Sequence, residues 1–251
     1  MRHQIVFVGL CSLLFAAGIA GAQDKPTPKP PAVSKFLSPS ELDPAIFLPP
    51  PASDGTPETL AELAELHRIE NERTPERFAR AKHDDELEDV RAIADVLGPA
   101  FDLGRFPATA QLFADLRNED SVAAKRAKAF FRRTRPWHAD PSLNPCNKSD
   151  AVKSAYPSGH STMGYASAEV LANLMPGNAQ IILARATDYA DSRLVCGAHY
   201  RSDLEGGHVL ATALVAELMA KPAFRTELEA ARAELTAAPT SRLDDGFEAL
   251  G

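Results

Sequence analysis

From residue 56 onward the apolar positions of this chain fall at steps of three and four, the period of helices buried along one face. Thr56-Pro57-Glu58 has the chemistry of a helix start: a capping hydroxyl, proline at the first helical position and an acid behind it. Leu60, Leu63 and Leu66 follow at helical spacing. Thr74-Pro75-Glu76 repeats the signal and predicts one long segment through Leu97, closed by Gly98-Pro99. Further helices are expected over 107–134, stopped by Pro136, over 159–175, ended by Met175-Pro176-Gly177, over 178–196 and about 199–220, and from Pro222 to about Leu235. No run of strand length alternates, β-branched residues are sparse and no repeat stands out. The expected fold class is all-α, a single-domain helical bundle over 56–235.

The ends depart from this pattern. Met1 to Gln4 is a short basic, polar start, Ile5 to Ala20 an almost unbroken apolar run, and Ala20-Gly21-Ala22 a small-x-small cleavage signal. Residues 1–22 therefore read as a secretory signal peptide. The rival, an uncleaved anchor, needs about 20 apolar residues, and this run is shorter. Residues 23–57 hold ten of the twenty prolines, so 23–55 is expected to be an extended arm, with Ile46-Phe47-Leu48 available to dock on the body. The tail 236–251 is polar with weak pattern and is expected to be loose.

Export changes the reading of charge and cysteine. Cleavage removes Arg2 and no acid, turning 27 basic residues against 34 acidic ones into 26 against 34. Such a surface repels nucleic-acid polymers and anionic membranes, so an anionic substrate needs a local basic pocket. Cys146 and Cys196 remain, an even pair that reads as one disulfide, with two free buried thiols as the alternative.

Three short blocks carry candidate chemistry. In Lys128-x6-Arg135-Pro136 two cations stand seven apart, two helical turns, so both are expected to point one way and suit a multi-oxygen anion. Alone, with Arg126, Arg132 and Arg133 nearby, the block also reads as a solvated basic face. Pro157-Ser158-Gly159-His160 precedes an apolar helix, where a capping serine, a glycine that lets an anion approach and free amides form an anion site; the bland reading is an ordinary capped helix. In Ser192-Arg193-x5-His199-x3-Asp203 the last two are four apart, neighbours on a helical face. A carboxylate on one imidazole nitrogen leaves the other free to attack, and Arg193 adds a cation; the bland reading is a surface ion pair. No carboxylate–histidine cluster has metal-ligand spacing, so no metal and no cofactor are expected.

Together the blocks resemble the signature of the type 2 phosphatidic acid phosphatase (PAP2) superfamily, which includes the vanadium haloperoxidases. All eleven fixed residues are present in order, with gaps of twenty and thirty-one residues between blocks. Leu48-Pro-Pro-Pro51, Gly164-Tyr-Ala-Ser-Ala, Cys196-Gly-Ala-His199 and Pro222-Ala-Phe resemble the class A bacterial non-specific acid phosphatases, and the likeness covers about residues 40–235. It is weakest over 56–125, and Trp137 stands where that family leads one to expect Phe.

The resemblance implies a phosphatase acting on phosphate monoesters through a phosphohistidine. His199 is then the nucleophile, Asp203 orients it, and His160 is the proton donor and later the base. Lys128, Arg135, Arg193, Ser158 and Gly159 hold the phosphate. An imidazole of ordinary pKa, about 6.5, makes His160 a donor below that pH and predicts an acid optimum. The partners implied are small phosphate esters (nucleotides, sugar phosphates, aryl phosphates), no nucleic-acid polymer, no membrane after cleavage, and a second copy of the chain as a homo-oligomer. Periplasmic or secreted localisation follows from the leader. Outside the leader, the other four histidines, His67, His83, His138 and His208, receive no catalytic role. The alternatives are a vanadate-dependent haloperoxidase and a non-catalytic phosphate-binding protein. A lipid phosphatase would need several membrane spans.

Overall fold

The computed structural model describes Met1 and residues 33–237; the expected leader and most of the expected tail lie outside these. The described residues are helical, with no strand among them. The helices are α1 Pro44–Phe47, α2 Pro57–Glu72, α3 Pro75–Glu86, α4 Arg91–Ala94, α5 Pro107–Phe131, α6 Pro136–Ala139, α7 Gly159–Leu174, α8 Ala179–Val195, α9 Arg201–Ala220 and α10 Pro222–Ala237.

Local chemistry sets several boundaries. The side chains of Thr56 and Thr74 accept from the amides of Thr59 and Arg77, three residues on, with Pro57 and Pro75 at the first helical position. Proline also opens α5, α6 and α10. In the expected arm Asp43 caps the four-residue helix α1, which begins at Pro44, so that stretch is not extended throughout. Leu37, Leu42 and Leu48 are buried in the main core, with Phe47 packed against it, while Ile46 is exposed.

The long segment expected through Leu97 is broken. Helix α3 ends at Glu86, Leu87 is extended, and α4 starts only at Arg91. The Tyr189 hydroxyl donates to the Leu87 carbonyl at 2.5 Å, and Asp89 accepts from the Arg91 amide at 2.9 Å, so both sides of the break are held by partners outside the helical ladder. Asp85, in the last turn of α3, and Glu88, in the break, both line the wall of a cleft.

Helix α7 is the centre of the bundle and packs chiefly on α8 and α9, with α5 alongside and α10 on α5. It is apolar or small nearly all round, as a buried helix must be. Tyr189 of α8 packs so close that a Cβ on Gly164 would lie 2.8 Å from its ring. Likewise Cβ atoms on Gly206 and Gly207 would lie 2.3 Å from the Tyr156 ring and 2.7 Å from the Ser158 carbonyl oxygen. These glycines let α9 press against residues 156–161.

Candidate active site

Helices α3, α5, α6, α7 and α8 and the turn before α9 meet at a cleft of about 290 Å³. At about 30 Å³ of liquid volume per water, it has room for a phosphate and part of an alcohol.

The first wall is the end of α5. Lys128 lies in its last turn, and its ammonium donates to the Ser154 carbonyl at 2.6 Å. Helix α5 stops at Phe131 because Arg132 takes a left-handed conformation, φ 51°. Lys128 and Arg135 therefore do not share a helix face, contrary to the two-turn expectation. They converge through the extended residues that follow, which pair with 152–155 through the Arg135 amide on the Val152 carbonyl and the Ala155 amide on that of Arg133. In extended chain, residues two apart share a side. Arg133 and Arg135 accordingly reach toward the start of α9, while Thr134 turns to Asp54.

The second wall is the start of α7. The buried Ser158 caps it, its hydroxyl accepting from the Ser161 amide at 3.3 Å. Gly159 and His160 are the first two helical residues, whose amides have no intrahelical acceptor. Both line the cleft, and Ser158 does not. His160 Nε2 donates to the Asp85 carbonyl at 3.2 Å and lies 3.5 Å from Glu88 Oε1, so it has a carboxylate neighbour that no helical spacing predicts.

His199 and Asp203 meet, but not on one helical face. Helix α9 starts at Arg201, and His199 lies in the turn before it. Asp203 is the third residue of α9, and its Oδ2 accepts both the Tyr200 amide at 2.9 Å and His199 Nδ1 at 3.2 Å. The first of these bonds is one half of a capping box. Arg133 Nη1 donates to the other oxygen, Oδ1, at 2.7 Å, and Arg133 Nη2 to Glu62 at 2.6 Å. Arg133, read in the sequence as part of a basic face, is thus almost fully buried behind His199.

The partners decide the histidine tautomer. Arginine only donates and an ionised carboxylate only accepts. Arg135 Nη1 lies 2.7 Å from His199 Nε2, and Asp203 holds Nδ1. The proton is therefore on Nδ1 and the lone pair on Nε2, which faces the cations of the cleft.

Arg193, from the last turn of α8, pairs with Asp85 across the cleft. A bound phosphate would compete with that carboxylate for the same guanidinium. Positive charge dominates the interior. Burial, then Arg135 and Arg193, brings Lys128 down to about 7, and burial with Arg193 brings Arg135 to about 10. Burial, followed by Arg135, Lys128 and Arg193, holds His199 well below the ordinary imidazole range. Burial, Arg193, Lys128 and Arg117 do the same to His160. The expectation of an ordinary pKa for His160 is thereby corrected: its proton must come with an anion that offsets these cations.

The cysteines form the expected bond. Cys146 and Cys196 are joined, and their backbones are linked by the Cys146 amide on the Cys196 carbonyl at 3.0 Å. The bond ties the loop after α6 to the end of α8, three residues before His199. Trp137 is buried and lines the cleft. None of His67, His83, His138 and His208 lines it; His67 pairs with Asp140 at 2.8 Å, and His208 stacks on Tyr165. Among the described residues no three His, Cys, Asp or Glu side chains are grouped to hold a metal ion, and no helix is long and apolar enough to cross a membrane.

Comparison with known proteins gives one answer. The family model described as PAP2 superfamily matches residues 111–227. An acid phosphatase of Zymomonas mobilis is 31% identical over 244 residues, 94% of this chain and 91% of that protein. A non-specific acid phosphatase of Providencia stuartii is 31% identical over 205 residues, 77% of this chain and 81% of that one. A bacterial vanadium-dependent iodoperoxidase shares the fold, with a TM-score of 0.50 at 21% identity; the match covers 77% of this chain and 59% of the larger one. Likeness that runs nearly end to end, and includes each block that lines the cleft, is membership: the chain belongs to the PAP2 superfamily, among the class A acid phosphatases, and is a phosphoric monoester hydrolase.

Proposed function

We propose that this chain is an exported, metal-independent acid phosphatase of broad specificity that works through a phosphohistidine on His199. The observation that carries the proposal is the imidazole of His199, held at Nδ1 by a buried carboxylate with its Nε2 lone pair among Lys128, Arg135 and Arg193. The three cations, with the amides of Gly159 and His160, are suited to the phosphoryl oxygens, whose charge is the main thing to stabilise in such a transfer.

In the first step the Nε2 lone pair forms a bond to phosphorus and the P–O bond to the alcohol breaks. His160, protonated with the substrate in place, gives its proton to the departing oxygen. Phosphorylated His199 is cationic, and Asp203, itself backed by Arg133, offsets that charge. In the second step water attacks phosphorus, His160 takes its proton, and the N–P bond returns its electrons to Nε2. Side-chain cations stand where other phosphatases use metal ions.

Export rests on the 1–22 leader, the 56–235 domain boundary on the helix pattern, and the homo-oligomer on the family likeness. The test is hydrolysis of p-nitrophenyl phosphate at acid pH, with and without excess EDTA, together with trapping of acid-labile phosphate on residue 199. Activity lost to EDTA and restored by zinc or magnesium would sink the mechanism. The iodoperoxidase with the same fold supports one rival, a pocket that holds vanadate for halide oxidation. Iodide oxidation with vanadate and peroxide, in a protein that hydrolyses no ester, would favour it.

A further inference from the structure

The side chains assigned to the phosphate line only part of the cleft. Helix α5 lines it from Lys128 back through Lys125, Ala124, Ser121 and Asp120 to Arg117. The eleven helical steps from Arg117 to Lys128 rise roughly 16 Å, far more than a phosphoryl group needs. The end away from Lys128 contains a group that the proposed mechanism leaves unused. Asp120 is only 1% exposed; its Oδ1 accepts from Arg117 Nη1 at 2.7 Å, and its buried Oδ2 has no partner among the described residues. A buried polar atom left unpaired is costly, and native structures hold few.

We infer that Asp120, flanked by Arg117 and Ser121, is a leaving-group subsite that hydrogen-bonds a hydroxyl of a neutral, polyhydroxylated alcohol esterified to the phosphate. The inference rests on the phosphate-ester reading of the site. Arg117 is not a second anion receptor: its Nη2 and Nε donate to the side chain and carbonyl of Glu88, and its Nη1 to Asp120. Glu88, on the break between α3 and α4, repels a second anionic group from this end. Among the buried side-chain polar atoms at this end, a single carboxyl oxygen, on a residue that lines the cleft, is left without a partner. Burial pushes Asp120 up to about 8, aided by Glu88 and opposed by Arg117 and Lys125. At acid pH it is therefore a carboxylic acid, able to donate one hydrogen bond and accept another, which is what a sugar hydroxyl needs.

The experiment compares esters of similar leaving-group chemistry that differ in hydroxyls. Wild-type protein is given ethyl phosphate and glucose 6-phosphate at acid pH. KM for glucose 6-phosphate is expected to be about tenfold lower, the value of one or two net hydrogen bonds. In Asp120→Ala the ratio of kcat/KM between the two esters should fall about tenfold toward unity. Asp120→Asn, which keeps a donor and an acceptor, should recover most of it. Equal KM values in the wild type, or a ratio unmoved in Asp120→Ala, would overturn the subsite while leaving the phosphatase reading intact. If Asp120→Ala does not fold, the wild-type pair of esters decides alone. Failure of the wild type to hydrolyse either ester would sink the phosphatase reading, and the subsite with it.

Discussion

Arg133 and Asp203 are buried together with Nη1 2.7 Å from Oδ1, directly behind His199. The bond links the segment after α5 to the first turn of α9 and fixes the carboxylate that in turn fixes the imidazole. Removing one partner of such a pair leaves an uncompensated buried charge, at a cost of about 3–5 kcal/mol. Arg133→Ala is therefore expected to lose stability on that scale by urea denaturation. Where it still folds, it should lose kcat more than KM is raised, because Arg133 does not line the cleft. A variant of wild-type stability would show the pair to be idle.

The two cleft histidines should separate by substrate. His199→Ala is expected to abolish turnover of every ester. His160→Ala should spare p-nitrophenyl phosphate more than an alkyl phosphate, because general acid catalysis, worth about 10²–10⁴-fold, matters less for a good leaving group. It should also accumulate phosphate on residue 199, since the second step needs a base. Phosphate trapped on residue 160 in His199→Ala would reverse the assignment.

The depressed histidines make a signed prediction about pH. Both are held well below the ordinary imidazole value, mainly by burial and then by neighbouring cations. Between that depressed value and about 6.5 the unfolded chain binds protons that the folded chain does not, so stability should fall as pH falls through this window. An anion in the cleft lifts the depression. Sulfate carries no exchangeable proton near neutrality, so its binding should be accompanied by net proton uptake, measured by calorimetry in buffers of different ionisation enthalpy. Binding without uptake would contradict the charge reading of the cleft.

The disulfide should matter for the position of His199 as well as for the fold. Closing fifty residues with the Cys146–Cys196 bond is worth roughly 4 kcal/mol in the chain-entropy model. Reduction is expected to lower Tm and, in protein that remains folded, to lower kcat, because the bond anchors the residues just before His199. Two alkylatable thiols in native, unreduced protein would refute the bond.

Much of this molecule was legible where its causes are local. Thr-Pro-Glu marks the starts of α2 and α3 because cap, proline and acid act within one turn. The three chemical blocks all reach the cleft or its backing. What failed did so for tertiary reasons. Leu87, Val90, Ala94 and Leu97 keep helical spacing, yet the helix breaks among them, because Tyr189, a hundred residues on, takes the Leu87 carbonyl. Lys128 with Arg135 and His199 with Asp203 were joined by helical arithmetic, and both pairs do converge on the site. In each, one member lies outside the helix, and the meeting is made by a loop or a capping turn. Nothing local marks Arg133 off from Arg132, since burial against Asp203 and Glu62 is set by helices that arrive from elsewhere.

The double duty of Asp203 has a consequence for motion. One carboxylate oxygen holds both the Tyr200 amide and His199 Nδ1. Helix ends fray, and this one cannot do so without releasing the imidazole in the same event. Solvent deuterium reaching the Tyr200 amide therefore keeps a clock on this imidazole: the protection of that one backbone proton reports how often the helix start that holds His199 comes undone.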